Sequence, residues 1–208
     1  MIGLIGSGEA GSNMAVCSFR LPRGERITVR PIRPHEADLL QNYIRSLSSE
    51  SRRNRFLGAV GELSPAGLAQ LTRMDRHGGA ALLAFADGRD TVPIAESMIV
   101  KLPNSERCEL ALSVADSWQG KGVGARLLRN LECQAKRLGA RFLFGEVLRT
   151  NTAMKCLARK EGFSIGTPFT DARLVEVGKD LSSLPSGSLC AVGWARPALA
   201  CPDLCAAG

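Results

Sequence analysis

The sequence predicts a mixed α/β fold, in which one central and mostly antiparallel sheet of about six or seven strands is flanked by about four helices. Two observations lead to this prediction. Short alternating or β-branched runs, separated by turn signals, follow one another closely in the middle of the chain. The apolar period then changes to that of a helix, and a further strand, a helix and a hairpin follow.

The first half of the predicted domain begins with one strand and two helices. Ile27 to Arg33 alternates and is rich in β-branched residues, which favours a strand. Residues 36–47 place apolar side chains at helical spacing. A second helix is expected near Ser64-Pro65, because serine is a good N-cap and proline fits the first turn. Three closely spaced strands come next, at residues 80–86, 93–101 and 107–114. Their short connections predict an antiparallel meander.

The second half begins with a change of period. An apolar helical stripe runs from Val123 to Leu138, and Gly139 is suited to end that helix. The remaining elements are a strand, a helix and a hairpin, expected at residues 141–148, 152–160, and 163–169 with 174–177. A helix between the meander and the next strand indicates a crossover connection, so the sheet is mixed.

We expect one domain over residues 26–181, since its length is typical of a single domain. Residues 1–25 are rich in Gly and Ser and are predicted to form a flexible N-terminal extension. Residues 182–208 break the pattern of strands and helices and are predicted to be a C-terminal tail. Trp194 and Leu204 could anchor this tail on the domain or on a neighbouring subunit, which leaves a homodimer open.

Composition excludes several classes of protein. The chain has no apolar run of about 18 residues and no basic signal region at its start, so we expect a cytoplasmic protein without membrane contact. Seven cysteines without a C-x-x-C pair indicate reduced thiols and no metal site. The net charge of +7 could attract an anionic partner, but 5% aromatic residues and no nucleic-acid-binding motif argue against nucleic acid.

Two glycine-rich segments are candidate anion sites. The segment from Gly6 to Gly11 has the spacing of a dinucleotide-binding turn, but it lacks the strand that must precede one. The segment from Gln119 to Gly124, Q-G-K-G-V-G, follows a predicted strand directly and opens the amphipathic helix. Glycines let the backbone approach an anion closely, and the start of a helix supplies free N–H groups. Ala125-Arg126 follow it, so it is not a Walker A loop. We therefore predict a phosphate-binding turn at residues 119–124.

This turn resembles motif A of the GNAT acetyltransferases, Q/R-x-x-G-x-G/A, with Gln119, Gly122 and Gly124 at the fixed positions. Further segments resemble the bacterial protein-lysine acetyltransferase branch, and they are found at residues 30–34, 47–52, 55–57, 109–114, 145–148, 151–154 and 161–163. The resemblance covers roughly residues 27–180. It implies the GNAT fold and an N-acetyltransferase that moves an acetyl group from acetyl-CoA to a primary amine. The branch favours a protein lysine over a small amine, and no metal is implied.

The resemblance also implies which residues bind acetyl-CoA. Backbone N–H groups of the turn would hold the pyrophosphate, and they belong to Gln119, Gly120, Lys121, Gly122, Val123 and Gly124. The preceding strand would run beside the pantetheine arm, at Leu112, Ser113 and Val114. A backbone N–H there would polarise the thioester carbonyl. Asn151 matches an asparagine that contacts the same arm, and it is also a suitable N-cap for the next helix.

Transfer to an amine requires a base, because the unperturbed pKa of lysine is about 10.4. Glu109 is the candidate, since it lies on the strand before the turn and matches the glutamate with this role in the branch. It shares a strand face with Ala111 and Ser113, whose small side chains leave room. Glu96 and Glu146 on flanking strands are the alternatives.

Many GNAT enzymes use a tyrosine to protonate the leaving thiolate, and this sequence lacks it. Ala158 occupies the corresponding position, and Tyr43 is the only tyrosine. Because a thiol has a pKa of about 8.5, the thiolate can leave without an acid to protonate it.

Two interpretations are open for a basic segment between the first and second helices. It forms either an acceptor-binding surface or part of the scaffold, and its residues are Arg52, Arg53, Arg55 and Phe56. Two other classes stay open, a CoA-binding regulatory module without catalysis and a nucleic-acid-associated protein.

Overall fold

The computed structural model describes residues 17–74, 78–86, 91–167 and 171–182. Within these ranges the chain forms one eight-stranded sheet and five α-helices. The strands are β1 (Cys17–Arg20), β2 (Arg26–Pro31), β3 (Gly79–Ala86), β4 (Pro93–Lys101), β5 (Arg107–Val114), β6 (Phe142–Leu148), β7 (Ser164–Gly166) and β8 (Leu174–Asp180). The helices are α1 (Ala37–Ser46), α2 (Ser49–Phe56), α3 (Pro65–Thr72), α4 (Val123–Arg137) and α5 (Thr152–Lys160).

The sheet has the strand order β1-β2-β3-β4-β5-β6-β8-β7. All neighbouring strands are antiparallel except β5 and β6, which are parallel. This one parallel pair follows from α4, because a helix that crosses over the sheet returns the chain in the same direction. The predicted mixed α/β fold with a mostly antiparallel sheet is therefore confirmed.

The two faces of the sheet are covered by different helices. The apolar stripe of α4 is at most 1% exposed at Leu127, Leu128 and Leu131, and it packs against one face. Helices α1 and α3 pack against the other face in a second apolar cluster, which includes Leu40 and Ile44. Residues alternate along β5, so Cys108 and Leu110 point into the α4 core, while Glu109 and Ser113 lie on the opposite face.

Two elements were not predicted, and each has a physical reason. β1 pairs with β2 from Cys17 to Arg20, so the sheet begins before the boundary at residue 26 that the sequence suggested. Four residues are too few to show a clear alternation. α2 has no buried residue and hence no apolar stripe for periodicity to detect. These additions raise the counts above the predicted six or seven strands and four helices.

Cysteine pairing also differs from the prediction. Cys133 on α4 and Cys156 on α5 each form a disulfide bond, whereas Cys17 and Cys108 are free. The expectation of reduced thiols was therefore wrong for these two residues, because the spacing of cysteines along the chain does not show which of them lie close together in the fold.

The glycine segment at 6–11 and the predicted tail beyond residue 182 lie outside the described residues. No helix in the described ranges is long and apolar enough to cross a membrane.

Candidate active site

The parallel strands β5 and β6 separate after three residue pairs. Their pairing runs from Arg107 with Phe142 to Glu109 with Phe144, although β5 continues to Val114 and β6 to Leu148. Beyond this point the two strands enclose a cleft, and Glu109 lies at its apex. The edge of β5 that faces β6 over the predicted residues Leu112, Ser113 and Val114 has no strand partner in the described chain. Apart from the Val114 carbonyl, which accepts a hydrogen bond from Gln119 Nε2, the backbone polar groups on this edge are available to an extended ligand.

The predicted phosphate-binding turn lies between β5 and α4. Gly120 and Gly122 have φ values of +70° and +92°, a backbone conformation that residues with a side chain adopt only with strain. The amides of Gly120, Lys121, Gly122, Val123 and Gly124 form no hydrogen bond with other described residues. The Gln119 amide differs from the prediction, because it donates to the Asp116 carbonyl at 3.3 Å. Five predicted donors are thus free at the positive end of α4.

Helix α5 forms a second wall beside this turn. A Cβ atom on Gly124 would lie 2.9 Å from Cδ2 of Leu157, so glycine is required for the close approach of α4 and α5. Asn151 caps α5, since its Oδ1 accepts a hydrogen bond from the Met154 amide at 3.0 Å. The other end of that side chain, Nδ2, has no hydrogen-bond partner among the described residues. The cap role is therefore seen directly, and the amide donor remains for a ligand.

A hydrogen-bond network missed by the sequence analysis connects the turn to α2. Asp116 accepts hydrogen bonds from the Ser48 amide at 2.9 Å, the Ser48 hydroxyl at 2.7 Å and the Ser51 hydroxyl at 2.8 Å. Gln119 donates from Nε2 to the Ser51 hydroxyl at 3.0 Å and to the Val114 carbonyl at 3.1 Å. Ser48 is the N-cap of α2. Serines after Leu47 were the one signal in the sequence for this helix start.

Glu96, one alternative base, is held in a buried ion pair. Arg55 donates from Nε and Nη2 to its two carboxylate oxygens, each at 2.8 Å. The exposed fractions of the two side chains are 7% and 0%. The Ser113 hydroxyl lies beside this pair, 3.4 Å from Glu96 and 3.0 Å from the Tyr43 hydroxyl. Because both oxygens of Glu96 are used by a permanent cation, it is unsuited to accept a proton from a substrate.

The same contacts decide the role of two of the four residues proposed as an acceptor surface. Arg52 donates to the carbonyls of Val60 and Leu47, and Arg55 is buried against Glu96. Both arginines are therefore scaffold residues. Arg55 also stacks over the Phe56 ring at 4.9 Å, and Arg53 is exposed.

The face of the sheet on which Glu109 lies, called the open face below, carries a second carboxylate. Glu146 follows Phe144 on the same face of β6, and it is exposed. Arg107 pairs with Glu176 at 3.0 Å and lies over the Phe144 ring at 4.2 Å. Neither Glu109 nor Glu146 forms an ion pair or hydrogen bond within the described ranges. These two carboxylates are thus free to meet a cation.

The surroundings of Glu109 change its protonation. Burial raises the pKa of Glu109, and the nearby charge of Glu146 raises it further, while Arg55 opposes both effects. A carboxylate with a raised pKa is a stronger proton acceptor.

Neither Ala158, which has no ionisable side chain, nor Tyr43 supplies a proton to a leaving group in the cleft. Ala158 is completely buried in the α4 core. Tyr43 is 2% exposed, its hydroxyl is hydrogen-bonded to Ser113, and burial raises its pKa well above the usual value. No cluster of three or more His, Cys, Asp or Glu suited to a metal occurs among the described residues.

A sheet that opens beside a glycine turn at a helix start offers backbone partners and free amides to an extended ligand with an anionic group. The model of the acetyltransferase (GNAT) family matches residues 42–163, and the chain belongs to this family of N-acetyltransferases. It is 33% identical over 145 residues to acetyltransferase PA5475 of Pseudomonas aeruginosa, covering 69% of this chain and 77% of that protein.

Solved structures agree with this assignment. The GNAT domain of S. lividans PAT superposes with a TM-score of 0.73 and 25% identity, covering 79% of this chain and 96% of that domain. yncA of Salmonella typhimurium, solved with its cofactor acetyl-CoA, has a TM-score of 0.57 and 17% identity, covering 76% and 95% of the two chains. The second likeness concerns the fold alone.

Replacing Gly122 by Glu tests the turn. We expect calorimetric binding of acetyl-CoA to be lost, because a side chain at φ +92° is strained by about 1–3 kcal/mol and its carboxylate would repel an anion. Gly61→Glu is the matched control, since that exposed glycine has no atom within 4 Å of a built Cβ. Equal affinities in the two variants would exclude the turn as the phosphate site.

Replacing Glu96 by Ala tests the buried ion pair. An unpaired buried Arg55 should lower the free energy of unfolding by about 3–5 kcal/mol, measured by urea denaturation. The double variant Arg55→Met, Glu96→Met should recover most of this loss, because apolar replacements of a buried pair are often neutral. Breaking the exposed Arg45–Glu62 pair by Glu62→Ala is the control and should cost less than about 1 kcal/mol. An equal cost at both positions contradicts the structural role of Glu96.

Proposed function

We propose that this enzyme transfers the acetyl group of acetyl-CoA to a cationic primary amine, with Glu109 as the general base. One observation supports the proposal most strongly. Glu109 is a partly buried carboxylate without an ion pair in the described chain, and it lies where β5 and β6 separate. A base at the apex of the cleft can reach an amine that approaches from the open face.

The cofactor would be held by groups that the fold leaves without partners. Acetyl-CoA supplies an activated acetyl thioester. The free amides of residues 120–124 suit its pyrophosphate, and the β5 edge at residues 112–114 suits the amide groups of its pantetheine arm. Nδ2 of Asn151 is a further donor on the opposite wall. A backbone N–H of β5 would stabilise the negative charge that develops on the thioester oxygen.

The proposed proton and electron movements balance without another reactant. Glu109 removes one proton from the ammonium group, which leaves a neutral nitrogen with a lone pair. A bond then forms between this nitrogen and the acetyl carbon, and the carbon–sulfur bond breaks. The nitrogen loses its second proton as the amide forms, and this proton passes to the departing sulfur directly or through water. The sulfur leaves as a thiolate of pKa about 8.5, so it needs no protein acid. This agrees with the lack of an ionisable side chain at Ala158 and with the burial of Tyr43, whose hydroxyl is bonded to Ser113.

The open face favours an amine that carries a positive charge. Glu109 and Glu146 both offer carboxylates to the cleft, and no cation within the described ranges pairs with them. Arg107 lies over the rings of Phe142 and Phe144, at 5.0 and 4.2 Å from their centres, so it borders the face that the amine would approach. Within this class we favour a protein lysine, because the sequence resembles the protein-lysine acetyltransferase branch and the chain is similar to the GNAT domain of S. lividans PAT.

Replacing Glu109 by Gln should lower turnover by about 10²–10⁴-fold while acetyl-CoA affinity stays unchanged. The base acts in the chemical step and does not hold the cofactor. Turnover is measured with a lysine peptide and with a small amine, and affinity by calorimetry. Glu106→Gln, at an exposed residue paired with Arg141, is the control. Wild-type turnover in the Glu109 variant removes it as the base. Binding of acetyl-CoA by the wild type without turnover on any amine supports a regulatory module instead.

Replacing Glu146 by Gln should move the acidic limb of the pH–rate profile to lower pH. The negative charge of Glu146 raises the pKa of Glu109, so its removal lets Glu109 ionise at lower pH. The base is active only when ionised, and activity therefore persists further into acid. The Michaelis constant for a cationic amine should rise, because one attracting carboxylate is lost. A profile that matches the Glu106→Gln control argues that Glu146 does not act on Glu109.

A further inference from the structure

Four charged side chains join α4, α5 and β8 on the face of the sheet that carries these two helices. Lys179 of β8 donates from Nζ to Oε1 of Glu132 on α4 at 2.7 Å, and to the carbonyl of Glu161 at the end of α5 at 2.6 Å. Arg129 of α4 donates from Nε and Nη2 to the two carboxylate oxygens of Glu161, at 2.7 and 2.9 Å. These four residues, named the α5 latch below, therefore attach the C-terminal end of α5 to the sheet and to α4.

The α5 latch is largely shielded from water. The side chains of Glu132 and Lys179 are 3% and 16% exposed, and those of Glu161 and Arg129 are 9% and 27% exposed. Burial raises the pKa of Glu132, while the hydrogen bond and charge of Lys179 oppose this effect. Charged hydrogen bonds are stronger in such surroundings than at the surface, and removing one partner leaves a buried charge unpaired. The latch is thus a firm attachment, and the transfer of the acetyl group does not use it.

Apolar packing gives α5 only a narrow attachment to the core. Ala158 is its one buried residue, and Met154 and Leu157 are partly buried against the α4 core. The helix has nine residues, so it is about 13 Å long and moves as a rigid rod. A tilt at the latched end therefore moves the other end, where Nδ2 of Asn151 has no partner among the described residues. The same tilt would change the contact of Leu157 with Gly124 at the phosphate-binding turn.

We propose that Lys179 is a positioning residue for acetyl-CoA, which acts through α5. This inference rests on the proposed function, in which Asn151 contacts the pantetheine arm. Lys179 lies at the opposite end of α5 from Asn151, so it affects the cofactor through the position of the helix. Loss of the latch therefore weakens the binding of acetyl-CoA, whereas the chemical step at Glu109 on β5 keeps its rate once the cofactor is bound.

The end of α4 provides a matched control within the same chain. Lys101 of β4 donates from Nζ to the carbonyl of Leu138, the C-cap of α4, at 2.7 Å, as Lys179 does at the end of α5. In each helix a glycine with positive φ follows the C-cap, and these are Gly139 at +72° and Gly162 at +80°. Buried residues extend along most of α4, so its position does not depend on the lysine.

Replacing Lys179 and Glu132 together by Met tests the latch without leaving a buried charge unpaired, so the melting temperature should stay near that of the wild type. Calorimetry on the full chain should show acetyl-CoA binding about three- to tenfold more weakly, a loss comparable to that of one hydrogen bond. The Michaelis constant for acetyl-CoA should rise by the same factor, with turnover at saturation unchanged. A thiol reductant is present throughout, because the disulfide at Cys156 is another attachment of α5.

Lys101→Met is the control, and it should change neither the affinity nor the Michaelis constant. Wild-type affinity in the double variant overturns the proposal while the proposed function stands. If the wild type itself does not bind acetyl-CoA, the proposed function fails, and the role of Lys179 fails with it.

Gly162→Ala and Gly139→Ala form a second comparison, which does not depend on the folding of the double variant. A side chain at these φ values is strained, so both changes should lower the melting temperature by similar amounts. A Cβ atom on residue 162 would also lie 3.8 Å from Cε and Nζ of Lys179, so its strain acts on the latch. Only Gly162→Ala should weaken the binding of acetyl-CoA. Equal affinities in these two variants contradict the proposal, because a purely structural latch predicts a loss of stability alone.

Discussion

The site depends on a parallel pair of strands that separates soon after it begins. At the point of separation, a Cβ atom built on Gly145 would lie 2.8 Å from the Leu110 carbonyl oxygen, so the two backbones are in close contact there. Parallel pairing has stopped one residue earlier, at Glu109 and Phe144. The separation leaves backbone groups of β5 without partners inside an otherwise continuous sheet. Since such groups need hydrogen bonds, the fold creates a site for a ligand that supplies them.

Charge is distributed so that the two reactants meet from opposite directions. The start of α4 and its free amides favour an anion at one end of the cleft. Glu109 and Glu146 favour a cation on the open face. Arg55 lies between these regions, where it is neutralised by Glu96 but still lowers the pKa of Glu109. The buried pair therefore moderates the proposed base without presenting a free positive charge to the ammonium group of the proposed substrate.

The sequence was sufficient to predict the elements whose apolar residues recur with a clear helical or strand period. It was also sufficient to predict the glycine turn at residues 119–124. α5 was predicted with its observed bounds, and the meander and the crossover were both correct. Gly122 could be found because its backbone conformation restricts the residue type. Polar interactions between distant segments could not be found, and the Arg55–Glu96 pair joins residues 41 positions apart. The choice between Glu96 and Glu109 as a base depended on that pair, so a sequence pattern alone could not make it.

Helix α2 shows why these polar contacts matter for the whole site. Its apolar contact with the core is limited to Phe56, which packs against the second apolar cluster. Its first turn is fixed by Ser48 and Ser51 through Asp116, next to the phosphate-binding turn. Its last turn is fixed by Arg55 through Glu96, behind the base. One rigid helix thus connects the cofactor end of the cleft with the acceptor end. Because both attachments consist of charged or polar hydrogen bonds, the relative position of the two ends depends on these polar contacts in addition to the packing of Phe56 on the apolar core.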